Sequence, residues 1–273
     1  MPPARVPVIA FLTDFGEVDA YAASMKGVVL TLCPRARLVD VSHGIDPGDL
    51  VGGAVVLEEA ARWMPAGTHF VVVVDPGVGT ERRGIAVRAG GRLFLGPDNG
   101  VLWPVIAADA RAEVREIRTA AFRLPVVSDT FHGRDVFAPA AARLASGKRF
   151  AAVGPVVTDP VRLEGFETDR RGGTLRGQVL RVDRFGNLVT SVTSADLSAA
   201  FDDVPFPTLD IRVGGRLVDE TARTYGRARP GVPFALMGSG GRLEIAVRDG
   251  SAAAALSCGR GMPVTVARRG GRR

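Results

Sequence analysis

VVVVDPGVGTERRG, residues Val71–Gly84, opens with a continuous β-branched run, Val71–Val74, the mark of a strand buried on both faces. Asp75 ends that run, and Pro76-Gly77 turns the chain. Gly77 and Gly79 allow backbone to come close to a ligand or another loop. Arg82 and Arg83 follow before the next apolar run begins at Ile85. A carboxylate therefore sits at the carboxyl end of a buried strand with guanidinium groups one loop away. In open α/β sheets that edge is where ligands bind. The ordinary structural account, a strand-terminal Asp and two solvated arginines, is equally compatible with this stretch alone.

Upstream, Val8–Leu12 reads as a first strand ending in Thr13-Asp14-Phe15-Gly16, and a helix follows with Asp19 as its N-cap. Tyr21, Met25, Val28 and Leu32 recur at helical spacing, with Pro34 just beyond. Arg37–Val41 is a second strand leading to Ser42-His43-Gly44, and Leu50, Ala54, Leu57 and Ala61 line a helix that stops at Pro65. This β-α-β-α-β order predicts a mainly parallel sheet with crossover helices. Downstream, Ile85–Arg88 and Leu93–Leu95 flank Gly90-Gly91 as a hairpin, and Val101–Ala107 starts another helix. Asp135 is placed to cap an Ala-rich helix over Val136–Ala145.

Between Phe150 and Gly173 the periodicity is lost, which puts a domain boundary there and predicts domains over 1–166 and 174–273. Beyond it come short strand-like runs: Leu175–Val182, Leu188–Val192, Thr208–Val213, Arg216–Val218, Phe234–Met237, Leu243–Val247 and Val264–Ala267. Gly214-Gly215 and Gly240-Gly241 are hairpin positions, so this half reads as all-β and barrel-like.

Composition narrows the classes of function. A chain of 273 residues, 46% hydrophobic and 23% charged, is an ordinary globular protein. No apolar run approaches the ~18 residues that span a bilayer, and MPPARVPVIAFLTDFG reads as a first strand, not a secretion signal. Two cysteines, Cys33 and Cys258, give neither a disulfide framework nor a CxxC metal site, which fits a cytoplasmic protein. The net charge of +6 is carried by scattered arginines; Lys26 and Lys148 are the only lysines, and only the tail, Arg268–Arg273, clusters charge. With no aromatic-interleaved basic patch, nucleic acid is not expected as a partner.

Taken singly, the polar signals are weak. His43 after a strand serves as well in structure as in function. GVGTERRG lacks the Lys-Ser/Thr of a phosphate-binding loop. Asp14, Asp40, His43, Asp75 and His132 could be drawn as a metal cluster, but no pair has tight ligand spacing, and no metal is expected.

Taken together, four segments say more. FLTDFG (Phe11–Gly16), VVDPGVGTERR (Val73–Arg83), TFHGRDVFAP (Thr130–Pro139) and VDRFGNLVT (Val182–Thr190) occur in this order. The chain thereby resembles the S-adenosylmethionine hydrolases, the hydroxide adenosyltransferases, which are homologous to the bacterial fluorinase and chlorinase. The resemblance runs from about Val8 to about Val266. It implies an α/β N-terminal domain joined to a C-terminal β-barrel domain. It also implies a homotrimer with each site between neighbouring subunits, and S-adenosylmethionine as substrate without a cofactor. By the same resemblance Asp75, Arg82 and His132 form the water-handling triad and Asp14 holds the ribose diol. Asp183 and Asn187 meet the methionine ammonium and neighbouring polar groups, and Ser239 helps bind the methionine carboxylate.

The residue types suit that chemistry. A water or hydroxide must be held in line with ribose C5′ and a departing sulfonium. The leaving group is a neutral thioether and needs no general acid. Asp75, with Arg82 as counter-ion, would orient the water or accept its proton, and His132 would fix the geometry or share that proton. A diol calls for a bidentate acceptor such as Asp14. Taken without the resemblance, Asp14 is a turn residue after a strand, and Asp183 and Asn187 frame a hairpin around Gly186.

The chain departs from the family pattern where Gly238 replaces a frequent Asn before the serine, where Arg248 replaces a frequent Asn, and where Gly48 supplies no aromatic. Three other readings compete. A 5′-halogenase is disfavoured by the Asp75 carboxylate, because the halogenases have an aromatic there. A non-catalytic S-adenosylmethionine or adenosine binder would bind without turnover, and a metallohydrolase would lose activity to a chelator.

Overall fold

The computed structural model describes residues 6–202 and 204–270. Residues 1–5, 203 and 271–273 lie outside it, including the start of the MPPARV segment and the end of the Arg268–Arg273 basic tail. The chain divides into two compact units between Leu163 and Glu164.

In the first unit, β1 (Val8–Thr13), α1 (Tyr21–Leu32), β2 (Arg37–Ser42), α2 (Leu50–Trp63) and β3 (His69–Val73) follow the expected order. Next come the hairpin β4 (Gly84–Ala89) and β5 (Arg92–Pro97), α3 (Trp103–Ala107), β6 (Glu113–Glu116) and α4 (Ala138–Ala145). The sheet order is β2-β1-β3-β5-β4-β6. β2, β1, β3 and β5 run parallel, whereas β4 is antiparallel to both β5 and β6. The sheet is therefore mixed, not mainly parallel. The cause is the Gly90-Gly91 turn, which folds β4 back against β5 instead of sending a crossover helix between them.

The parallel strands are buried on both faces, as the valine run predicts. Ile9, Phe11, Val71 and Val73 share a core with Met25 and Val29 of α1 and with the alanines of α4. The intervening Ala10, Leu12, Phe70 and Val72 are also fully buried and face the side covered by α2 and α3. There Phe70 stacks on Phe94 at 5.0 Å.

Two expected caps are corrected. Helix α1 starts at Tyr21 after Ala20, with no side-chain cap from Asp19. Its first turn is fixed by aromatic packing instead, the Tyr21 ring meeting Phe15 at 5.5 Å and Phe131 at 5.3 Å. Asp135 does not cap a helix but lies inside a π-helical turn, Gly133–Phe137, that runs into α4. Asp49, by contrast, caps α2 by accepting a hydrogen bond from the Gly52 amide at 3.0 Å.

The second unit carries β7 (Asp169–Arg171), β8 (Thr174–Val182), β9 (Leu188–Thr193), α5 (Ser194–Phe201), β10 (Leu209–Val213) and β11 (Arg216–Val218). It continues with β12 (Glu220–Thr221), β13 (Pro233–Met237), β14 (Arg242–Val247), α6 (Ala252–Leu256) and β15 (Pro263–Arg268). The order is β11-β10-β15-β8-β9-β14-β13-β12, with β7 paired to β8. The sheet curls until β11 comes near β13, giving a nearly closed, barrel-like body around Val179, Val192, Ile211, Ile245 and Val264. Gly214-Gly215 and Gly240-Gly241 turn the expected hairpins. The unit is not all-β: α5 is begun by a capping box in which Thr193 and Asp196 satisfy each other's amides. Among the described residues no helix is long and apolar enough to cross a membrane.

Candidate active site

Three loops meet at the carboxyl ends of β1 and β3. The first leaves β1 at Asp14, whose amide donates to Val73 O at 3.4 Å and so extends the pairing with β3 by one residue. The second leaves β3 at Asp75. Successive turns, Val78 N to Asp75 O at 3.2 Å and Thr80 N to Gly77 O at 3.2 Å, reverse the chain and bring Arg82 back over Asp75. The third, Ser128–Gly133, packs directly on the second. A Cβ at Gly79, where φ is +80°, would lie 2.4 Å from Asp129 O, so only glycine lets the two loops meet.

That closure assembles Asp75, Arg82 and His132. Arg82 Nε donates to Asp75 Oδ1 at 2.9 Å, and its Nη2 bonds the second carboxylate oxygen, a bidentate pair. The same Nη2 lies 2.8 Å from His132 Nδ1. Arg82 has no acceptor to offer, so Nδ1 accepts and the imidazole proton sits on Nε2. The side chains of Asp75 and Arg82 are 3% and 11% exposed, with the guanidinium 5.5 Å over the Phe137 ring. Burial, and then the charge of Arg82, hold His132 below its ordinary value of 6.5, against the opposing pull of Asp75. The imidazole is thus neutral near pH 7.

His132 is supported from behind. Asp135, buried, accepts from Ser128 N at 2.9 Å and from Arg134 Nε at 2.6 Å, which closes the loop that His132 ends. Gly133 packs so tightly that a Cβ would lie 2.8 Å from Met25 Sδ. A cavity of about 190 Å³ opens beside Arg82 and His132, walled also by Glu81, Glu116, Arg123 and Val127. Asp14 lies at the same sheet edge and accepts from the Gly48 amide at 2.8 Å. Gly48 in turn borders Pro76, next to Asp75, with 3.9 Å from its Cβ position to Pro76 Cβ.

In the second unit, Asp183 and Asn187 are brought together by one turn. Asp183 Oδ1 accepts from the amides of Phe185 at 2.8 Å and Asn187 at 2.9 Å, and Oδ2 accepts from Asn187 Nδ2 at 2.9 Å. Phe185, at the apex, is 78% exposed and presents a free ring face. Ser239 stands exposed in the β13–β14 hairpin.

Two of the three departures have local causes. A Cβ at Gly238 would lie 1.8 Å from Glu244 Oε1, so the Glu244 carboxylate fills the space that a larger residue would need. Glu244 accepts from Tyr225 Oη at 2.8 Å, and burial followed by that bond pushes the phenol's titration upward, with Asp183 adding to it. Arg248 Nη1 donates to Gly226 O at 3.1 Å and pins the loop that carries Tyr225. Sequence reading missed Tyr225 and Glu244, because nothing local marks a pair formed 19 residues apart.

The metal cluster drawn from Asp14, Asp40, His43, Asp75 and His132 does not assemble. Asp40 and His43 form one pair and Asp75 and His132 flank Arg82 in another group. Among the described residues no group of three or more His, Cys, Asp or Glu is arranged to hold a metal ion. A larger cavity, of about 910 Å³, lies among Asp210, Arg212, Asp219 and Arg269 and contains none of the candidate residues.

Comparison with known proteins places this geometry. Residues 9–154 match the SAM hydroxide adenosyltransferase N-terminal domain and residues 177–265 match the C-terminal domain of the same family. The chain is 42% identical over 260 residues to an (R)-S-adenosyl-L-methionine hydrolase of Salinispora arenicola, covering 92% of this chain and 94% of that one. A fluorinase from Actinoplanes is 30% identical over 227 residues, covering 73% and 76%. The crystal structure of a conserved protein from Thermotoga maritima superposes with a TM-score of 0.87 at 34% identity, over 95% of this chain and all of that one.

Proposed function

The chain belongs to the SAM hydroxide adenosyltransferase family, and on that premise we propose that it hydrolyses S-adenosyl-L-methionine to adenosine and L-methionine. The observation that carries this reading is the ion pair of Asp75 with Arg82, closed by neutral His132, in a chain 42% identical to a named (R)-S-adenosyl-L-methionine hydrolase.

The scheme needs few groups. Each Asp75 oxygen accepts one bond from Arg82 and keeps a lone pair for a water. Water oxygen attacks C5′ while the C5′–S bond breaks with its electrons going to sulfur, which leaves as the neutral thioether of methionine. The proton of the attacking water goes to Asp75 and then to solvent. Asp14, with Oδ2 held by Gly48, receives the ribose diol. Asp183, Asn187 and Ser239 serve the methionine end, and the exposed ring of Phe185 offers a stacking face. No step calls on a cofactor or a metal.

The candidate residues are divided between the two units, which supports a homotrimer with sites completed across subunits; light scattering that found an active monomer would remove that part. The domain division at the loop region before β8, and a reaction in the reducing cytoplasm, suggested by two free buried cysteines, complete the reading.

Purified protein incubated with S-adenosylmethionine should release adenosine and methionine in equal amounts, followed by chromatography. The fluorinase relative makes halide transfer the second reading. A carboxylate at position 75 repels a halide nucleophile, so added chloride or fluoride should still give adenosine alone. Accumulated 5′-halogenated adenosine would overturn the assignment, and binding without turnover would make the protein a sensor instead.

A further inference from the structure

The sheet edge holds a second Asp–His network that the proposed reaction does not use. His43 Nε2 lies 3.0 Å from Asp40 Oδ1, and Asp40 Oδ2 also accepts from Lys26 Nζ at 2.7 Å. On the other side His43 Nδ1 lies 2.8 Å from Thr13 Oγ1. A carboxylate only accepts, so Nε2 carries the proton. Thr13 Oγ1 accepts from the Phe15 amide at 3.3 Å and donates its own hydrogen to Nδ1. Asp, His and Thr in this order have the make-up of a nucleophilic relay. Thr13 is fully buried, however, and His43 is 7% exposed, so no substrate atom can reach that hydroxyl.

What the network does touch is the backbone around Asp14. Thr13 precedes it and bonds His43 through the side chain. Gly16, two residues after it, donates its amide to His43 O at 2.7 Å. Ile45 N donates to Thr13 O at 3.4 Å. The same loop then delivers the Gly48 amide to Asp14 Oδ2 at 2.8 Å. Asp14 is thus bracketed on both sides by bonds to His43 and oriented by a group five residues further along that loop. Phe15 and Gly16 lie beyond the end of β1, where the strand ladder no longer holds the chain.

We propose that His43 is a positioning residue: by tying Thr13 through its imidazole to the loop ending at Gly48, beside the backbone bond from Gly16, it sets the Asp14 carboxylate for the substrate's ribose diol. The proposal rests on the reading of Asp14 given above. Losing the clamp lets Asp14 drift from the diol while leaving Asp75, Arg82 and His132, which are held by other loops, in place.

The test pairs two substrates with His43 variants. Steady-state kinetics are measured with S-adenosylmethionine and with its 2′-deoxy analogue, which lacks one of the two diol hydroxyls, and melting is followed in parallel. Wild type should disfavour the analogue about tenfold or more. His43→Leu should raise KM for S-adenosylmethionine roughly tenfold with kcat changed less than about threefold, and should raise KM for the analogue by a clearly smaller factor, because one of the two Asp14–hydroxyl bonds is already missing there. His43→Asn, which keeps a polar atom near the Nδ1 position, should restore most of the loss. A His43→Leu penalty equal on both substrates, or one that falls on kcat, would overturn the proposal. If that variant does not fold, Thr13→Val, which removes the same bond from its other side, makes the comparison, with His43→Asn as the near-wild-type control. A wild type that accepts the analogue as well as the parent removes the Asp14 reading and this proposal with it; one that discriminates, with equal variant losses, removes this proposal alone.

Discussion

Asp75 and Asp183, one in each unit, are held in opposite ways. Asp75 is gripped from outside its own turn, by a guanidinium that returns seven residues later and that also meets an imidazole fifty residues away. Asp183 is occupied by its own turn, with three bonds from residues no more than four positions on. The first arrangement stores charge at a place where only tertiary contacts keep it. The second shapes a hairpin and presents Phe185 and Asn187. An aspartate with a lone pair left on each oxygen beside a fixed cation suits proton handling, whereas one with three of its four acceptor sites taken by its own turn suits architecture. What the structure shows of Asp183 is the turn it builds.

Breaking the first arrangement should cost most. Asp75→Asn keeps the shape but loses the charge and the proton acceptor, so kcat should fall by ~10²–10⁴ with binding little changed. Calorimetric binding beside turnover checks this, and unchanged turnover would rule out the mechanism. Arg82→Met leaves a nearly buried carboxylate without its partner and should lower stability by about 3–5 kcal/mol. Adding Asp75→Asn to it should recover part of that loss, read by denaturant melting. Should the double variant be less stable than Arg82→Met, the pair is not the source of the cost.

Smaller effects sharpen the contrast. Asp14→Ala should weaken substrate binding by about 1.5–3 kcal/mol for each lost charged hydrogen bond, with a lesser loss of kcat. Asp183→Ala should instead destabilise the second unit by about 1–3 kcal/mol, because two amides and the Asn187 side chain lose their acceptor. A large kcat effect with an unchanged melting point would show that Asp183 acts on substrate directly. The smallest effect concerns acid. Once pH falls below 6.5, the unfolded chain protonates His132 while the folded protein, whose value is lowered, does not. Stability supported by the neutral ring is full above that pH and is lost as pH falls toward the lower folded value. His132→Gln should flatten that limb of a melting-against-pH curve.

Much of this was legible in the chain, and the limits follow from range. The valine run, the Gly-Gly hairpins and the four motifs are local patterns, and they mark the strands, the turns and the residues Asp75, Arg82 and His132. The Asp19 and Asp135 caps failed because aromatic packing around Tyr21 and a buried pairing with Arg134 and Ser128 outweighed local capping preference. The parallel-sheet expectation extended the β-α-β pattern past a hairpin that reverses it. Glu113–Glu116 carries three charged residues in four and little periodicity, so nothing local marks it as the edge strand it becomes.

By itself the sequence determined the alternation of elements, the division into an α/β half and a strand-rich half, and the identity of the charged residues at the strand ends. Those features depend on neighbours within a few positions, where periodicity, glycine and proline act. The tertiary structure alone decided that Arg82 bridges Asp75 to His132, that Glu244 fills the space beside Gly238, and that His43 reaches back to the residues around Asp14. Each of those contacts joins segments remote in the chain, and its geometry exists only after the sheet has set the loops side by side.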